Sequence, residues 1–346
     1  MDYKSVRHNF CLYDVFDEMR KNKGKMLKKP RLWISRFLSQ LTLERARENF
    51  EVYLPKIDRP ASKNEMVELS SKVDAFLICH SEIISSDVAK NFNKRLKIIA
   101  NHSVGTDHCD LDALKSIGIV VTNTPDVLSD ATAEISMLLL LGAARRAVEA
   151  QNIIKEGKWN SWSPSFMVGK QVTGQRLGII GMGRVGQAMA RNARGLNMQI
   201  HYHNRKRLPK EQEKGAVYHN SKEELLRISD FLSLHCPATS GTQEIINKKT
   251  IQLMPNNAII VNAARGKLID EQALIDALIS GKISGAGLDC FVKEPGGNPK
   301  LSALKNVFML PHIGSATEKT RDAMGLRALE NLNAYFSGKR PLDQVT

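Results

Sequence analysis

The sequence predicts an α/β protein whose parallel sheets are covered by helices on both faces, and three observations carry the prediction. Short apolar segments alternate with helical patterns along most of the 346 residues, the order that builds parallel strands joined by crossover helices. The length exceeds what one hydrophobic core usually serves, so two domains are expected. One strand candidate runs directly into a glycine-rich turn and a helix, at the end of a strand where open α/β sheets place their sites.

In chain order, regular patterning begins with a short strand at 32–35, after a basic lead-in, and a helical pattern at 43–49. Further strands are expected at 75–79, 98–100, 119–122, 176–180, 199–202, 231–235, 258–262, 285–289 and 307–310, each an apolar run short enough for a buried strand. Helical patterns lie between most of them, 271–280 among them. The longest predicted helix covers about 130–155, with Ser129 or Asp130 as its cap. Its middle, 135–141, is apolar nearly all round, which suits a domain junction or a subunit interface.

Composition narrows the function classes. Apolar residues make up 42% of the chain, an ordinary globular share. The longest apolar run, 137–144, falls far short of the roughly 20 residues of a membrane span. Five cysteines stand at 11, 79, 109, 236 and 290 without any CxxC pair, which predicts free thiols and a reducing, cytoplasmic setting. His108-Cys109 and His235-Cys236 lack partners at ligand spacing, so no metal is expected. The net charge of +14 is spread along the chain without a nucleic-acid motif. Its densest run, from Arg20 to Arg31, reads as a solvated tail. Residues 1–25 are expected to be an extension, with Met26 a candidate start. They lack the apolar stretch of a secretory signal and carry acids foreign to a mitochondrial presequence.

Residues 177–190 read LGIIGMGRVGQAMA. A strand ending at Ile180 enters Gly181-Met182-Gly183-Arg184-Val185-Gly186 and then a helix, a dinucleotide fingerprint in its required context. Gly181 permits the turn, Gly183 lets a pyrophosphate approach, and Gly186 lets the helix pack close. Free N–H groups at the helix start would hold the phosphates. The next strand ends near Asn204, where an NAD-binding site usually carries an acid. Here Arg205, Lys206 and Arg207 follow instead. A guanidinium can fork onto a 2′-phosphate that an acid would repel, so NADP(H) is expected over NAD(H).

Three later segments each follow a strand: Ala263-Ala264-Arg265-Gly266, then Asp289 to Pro295, then Pro311-His312-Ile313-Gly314. Reducing a carbonyl requires a proton donor as charge develops on oxygen, and a histidine beside a carboxylate supplies one. Glu294 and His312 can form that pair, and Arg265 can hold a substrate carboxylate and polarise its ketone. Taken singly, each has an ordinary structural explanation. Their order behind a cofactor fingerprint carries the reading.

With GMGRVG, NAARG, GAGLDCFVKEP and LPHIGSAT on the page, the chain resembles the D-isomer-specific 2-hydroxyacid dehydrogenases from about Lys28 to the C-terminus. Within them it is most similar to glyoxylate/hydroxypyruvate reductases: TPDVLSDATAE resembles their entry into the long helix, and WNSWSP resembles their tryptophan-proline segment. The resemblance implies two Rossmann-like domains, a flavodoxin-like substrate domain and a dinucleotide-binding domain, with the active-site cleft between them. The substrate domain would be discontinuous, 26–127 with 318–346, around a nucleotide domain at 128–317. The resemblance makes His312 the general acid, Glu294 its tuner and Arg265 a substrate ligand. It gives the backbone of Val104 and Gly105 the substrate carboxylate, Asp289 the nicotinamide carboxamide, and Pro237, Thr242 and Ala263 the cofactor lining. It implies a homodimer, in which Trp162 either enters the partner's site or packs the dimer arm. The expected activity is reduction of a small 2-oxo acid. Reduction of 2-keto-gluconate and a dinucleotide-sensing corepressor role are the alternatives.

Overall fold

The computed structural model describes residues 28–346; the extension 1–25 and Met26 lie outside them. The first part of the chain forms β1 (Arg31–Ile34), α1 (Gln40–Asn49), β2 (Glu51–Tyr53), α2 (Lys63–Ser70), β3 (Ala75–Ile78), α3 (Ser86–Lys90), β4 (Ile98–Asn101), α4 (Leu111–Ser116) and β5 (Val120–Thr122). Its five strands pair in the order β2-β1-β3-β4-β5, all parallel. The strands AFLI and IIAN are buried at every residue, because helices cover both sheet faces.

Two helices, α5 (Ser129–Ala144) and α6 (Ala147–Lys155), lead to the second sheet. Its elements are β6 (Arg176–Ile180), α7 (Arg184–Arg194), β7 (Gln199–His203), α8 (Lys210–Glu213), β8 (Val217–Tyr218), α9 (Lys222–Ile228), β9 (Phe231–Leu234), α10 (Lys248–Leu253), β10 (Ala258–Asn262), α11 (Glu271–Ile279), β11 (Ile283–Leu288), α12 (Pro299–Ser302) and β12 (Val307–Met309). The seven strands run β12-β11-β10-β9-β6-β7-β8, again parallel. The final helix, α13 (Glu318–Phe336), returns to the first sheet, where Ala328, Leu329 and Leu332 pack on Leu32, Ile34 and Leu77.

These strand orders decide where a site can form. Both sheets are doubly wound, and the chain reverses direction between β1 and β3 in one and between β6 and β9 in the other. Loops diverge at such points and leave a crevice beyond the strand C-termini. The loops after β1, β3, β4, β10, β11 and β12 all contribute to one cleft of about 950 Å³.

The structure departs from the sequence reading at the long helix. One helix over 130–155 was expected, but α5 stops at Ala144 and Arg146 takes a left-handed conformation, φ 55°. The Ala144 carbonyl accepts from Lys170 N at 2.8 Å, so a later segment takes a bond that a continuing helix would use. Arg146 instead pairs with Glu149 inside α6 at 2.9 Å. Nor does Ser129 or Asp130 cap α5: its N-cap is Leu128, without a side-chain bond. The short edge strands β2 and β8 had no counterpart in the apolar pattern, since each holds a single aliphatic residue, Val52 and Val217, and none of their five residues is buried. Among the described residues, no helix is long and apolar enough to cross a membrane.

Candidate active site

The loop after β6 shows why its glycines are there. Gly181 has φ 97°, and a side chain on it would run into the backbone of His235 and Cys236. A side chain on Gly183 would meet nothing, so the space over this residue is open. Gly183 is also the N-cap of α7 and has no side chain to bond the first-turn N–H groups. Free donors, a positive helix end and open space fit a pyrophosphate. Gly186 lies against the Gly181 carbonyl, where any larger residue would push helix and strand apart.

At the end of β7, Asn204 Oδ1 accepts from Met182 N at 2.6 Å, tying this strand to the glycine loop. Arg205 and Lys206 are exposed, and neither forms an ion pair among the described residues. Arg207 does not join them: Glu213 holds it by two bonds of 2.7 and 3.0 Å, and it lies over the Tyr218 ring. The three-cation cluster read from sequence is therefore two free cations and one structural one. Arg184 pairs with Asp126 beyond β5. The Thr242 hydroxyl donates to the Pro237 carbonyl at 2.6 Å and closes the loop after β9.

The three segments singled out as catalytic meet in the cleft. Arg265 follows β10, and the buried Asn262 fixes its backbone by donating to the Arg265 carbonyl at 2.8 Å. Arg265 Nε donates to Asp107 at 2.9 Å and Nη1 to the Ala264 carbonyl at 2.8 Å. Nη2 lies against Gly105, where a side chain would collide with it, and takes no protein acceptor among the described residues. Burial pushes the Asp107 carboxyl up, but the charge and hydrogen bond of Arg265 outweigh it and leave it below the usual carboxylate range.

His312 follows β12 with φ 55°. Its Nδ1 lies 2.6 Å from Glu294 Oε2, and Glu294 Oε1 accepts from Phe291 N at 2.7 Å. Burial would raise the Glu294 carboxyl, yet the bond to His312 and its charge bring it below the ordinary value. With Nδ1 engaged, Nε2 is the ring nitrogen left for a ligand. Asp289 is buried and its Oδ1 accepts from Ile313 N at 2.8 Å, so this carboxylate fixes the segment that carries His312. Burial raises its pKa.

Sequence reasoning missed two residues here. Asp107, two residues past Gly105, carried no assigned role, although it is the partner of Arg265. His80, after β3, received no notice at all; its ring stacks on His312 at 4.9 Å between centroids and 28° between planes. An isolated histidine after a strand carries no local signal. Val104 is partly exposed, its carbonyl accepting from Asn123 Nδ2 at 2.9 Å. Trp162 does not enter its own chain's cleft; it and Trp159 are exposed on the segment after α6.

An arginine with a free donor, backbone N–H groups beside it and a histidine backed by a carboxylate can together hold a 2-oxo acid and protonate its ketone. Comparison with known proteins agrees. A family model described as D-isomer specific 2-hydroxyacid dehydrogenase, NAD binding domain, matches residues 137–314. The chain is 43% identical over 318 residues to a glyoxylate reductase of Thermococcus kodakarensis, covering 90% of this chain and 95% of that one. It is 40% identical over 314 residues to a glycerate dehydrogenase of Hyphomicrobium methylovorum, covering 90% and 98%. Among solved structures, an NADPH-dependent glyoxylate/hydroxypyruvate reductase of Sinorhizobium meliloti in complex with NADP and malonate superposes with a TM-score of 0.81 at 31% identity, over 92% of this chain and 97% of that one.

Proposed function

The chain belongs to the D-isomer-specific 2-hydroxyacid dehydrogenase family, and we propose that it is an NADPH-dependent reductase that turns glyoxylate into glycolate and hydroxypyruvate into D-glycerate. The observation that carries this reading is the convergence of Gly105, Arg265 and the Glu294–His312 pair from two sheets on one cleft.

The substrate carboxylate is received by the backbone N–H groups of Val104 and Gly105 and by Arg265 Nη2. Arg265 also polarises the ketone as charge grows on its oxygen. His312 presents Nε2 to that oxygen and gives it the proton, while Glu294 orients the ring through Nδ1 and balances its positive charge. The Gly181–Gly186 loop would hold NADP(H), which when bound would supply the hydride. Residues 26–127 with 318–346 form the substrate domain and 128–317 the nucleotide domain; their approach excludes water from the cleft.

The NADP preference rests on Asn204, Arg205 and Lys206. An acid at 204 would repel a 2′-phosphate, and the two unpaired cations beside it are free to receive one. An opposite-charge pair near a surface is worth on the order of 4 kcal/mol before desolvation, and water and salt reduce this well below that figure. Initial rates with glyoxylate and hydroxypyruvate, NADPH against NADH, test both parts. A strong NADPH preference is expected. Preference for NADH overturns the cofactor assignment, and no turnover with either overturns the activity.

A further inference from the structure

We propose that His80 discriminates among three-carbon 2-oxo acids by the C3 substituent, favouring those that carry a hydroxyl there over those that carry only hydrogen; this rests on the reductase reading above. Three groups orient the substrate in that reading. Its carboxylate would meet Gly105 and Arg265, its ketone oxygen would meet His312 Nε2, and its reacting carbon would be turned towards the seven-stranded sheet, whose Gly181–Gly186 loop would hold the hydride donor. The C3 substituent is then left to face the wall made by the five-stranded sheet. His80 stands on that wall, beside the Glu294–His312 pair.

The two imidazole rings are near parallel and 4.9 Å apart, so they present their edges side by side. The candidate ligand atoms of His80, Glu294 and His312 lie within 4.8 Å of one another, so an oxygen on the carbon next to a ketone held at His312 would be within reach of His80. The ring nitrogens of His80 take no hydrogen-bond partner among the described residues. Burial first, and then the neighbouring His312, hold its pKa below the ordinary value. Glu294 acts in the opposite direction, while Arg265 and Arg321 add to the lowering. At neutral pH the ring is therefore uncharged, with one donor and one acceptor, the complement of a hydroxyl.

His80 itself is exposed, but the residues on either side of it are held by hydrogen bonds. Glu82 is fully buried and accepts from Cys79 N at 3.0 Å, from the Ser81 hydroxyl at 3.1 Å and from the Ser35 hydroxyl at 2.7 Å. Arg36 donates to the Ser81 hydroxyl at 3.0 Å from the loop after β1. The turn bearing His80 is thus clamped on both sides. A polar group held in place discriminates more sharply than a mobile one, because it loses its partner when the substrate lacks the hydroxyl.

The test compares kcat/KM for hydroxypyruvate and for pyruvate, which differ only in the C3 hydroxyl, with NADPH as the reductant. Wild type should favour hydroxypyruvate. His80→Leu should reduce the ratio roughly tenfold, as loss of one neutral hydrogen bond predicts, and His80→Gln, which keeps a donor and an acceptor, should restore most of it. An unchanged ratio in His80→Leu overturns the assignment while leaving the reductase reading intact. A Leu variant and a Gln variant that lose the preference equally also overturn it, since shape would then be the cause. Turnover of glyoxylate without turnover of either three-carbon acid would overturn this inference alone, and no turnover of any of the three by wild type would overturn the reductase reading with it.

Discussion

At the residue scale the site is a set of side chains each fixed by a second one. Glu294 holds His312, Asp289 holds the segment after it, and Asn262 holds the loop of Arg265. In the proposed mechanism the acid, His312, would thus be oriented before substrate arrives, which is where proton transfer gains its rate. His312→Ala should lower kcat by about 10²- to 10⁴-fold with the far-ultraviolet circular dichroism spectrum unchanged. Near-normal turnover would remove His312 from the mechanism. Arg265→Ala in the same assay should raise KM and lower kcat together, because in the proposed mechanism the guanidinium acts on both the carboxylate and the ketone.

At the element scale, the region after β7 shows a charged cluster used for two purposes. Arg205 and Lys206 stay free, whereas Arg207 is drawn to Glu213 at the end of α8, and Tyr202 donates to the same carboxylate at 2.7 Å. These bonds, the Arg207 guanidinium foremost, hold the Glu213 pKa down to about 2, against an ordinary 4.5. A carboxylate with a depressed folded pKa stabilises the fold fully above its ordinary pKa and loses that contribution as pH falls through its folded value. The contribution should therefore be complete above about pH 4.5 and fade towards pH 2. Glu213→Gln should melt below wild type at pH 6, and the gap in Tm should narrow steadily on acidification to pH 3. A constant gap across that range would show that the charge of Glu213 is not what matters.

At the scale of the whole molecule, two sheets face one cleft and an apolar surface lies elsewhere. On α5, Leu138 and Leu141 remain exposed, and Trp159 and Trp162 stand free on the segment that follows α6. Large apolar side chains gathered in one stretch mark an association surface. We propose that a homodimer uses this surface, which would account for the all-round apolar character of α5, whose other faces pack on α7 and β11. Leu138→Asp should shift the protein from dimer to monomer in light scattering, because it would bury a charge without a partner. A wild-type protein that is already monomeric at working concentration would end the dimer assignment and the role of Trp162 in a partner's site.

Much of this was legible in the sequence by itself. The strand, glycine turn and helix around Gly181, and the positions of Arg265, Glu294 and His312 just past apolar strands, are local patterns, and local patterns survive without knowledge of the fold. Buried parallel strands must be apolar and sites must follow their ends, so the alternation of segments announced the architecture. The tertiary structure alone decided which distant residues share a contact. It brought Asp107 to Arg265, laid His80 on His312, took Arg207 from the cofactor cluster and broke the long helix at Arg146. Each of these depends on the order in which strands pair and on where chain segments return, and no short stretch of sequence records that order. Local periodicity reports which face of an element is buried, but only the packed sheets determine what lies against it.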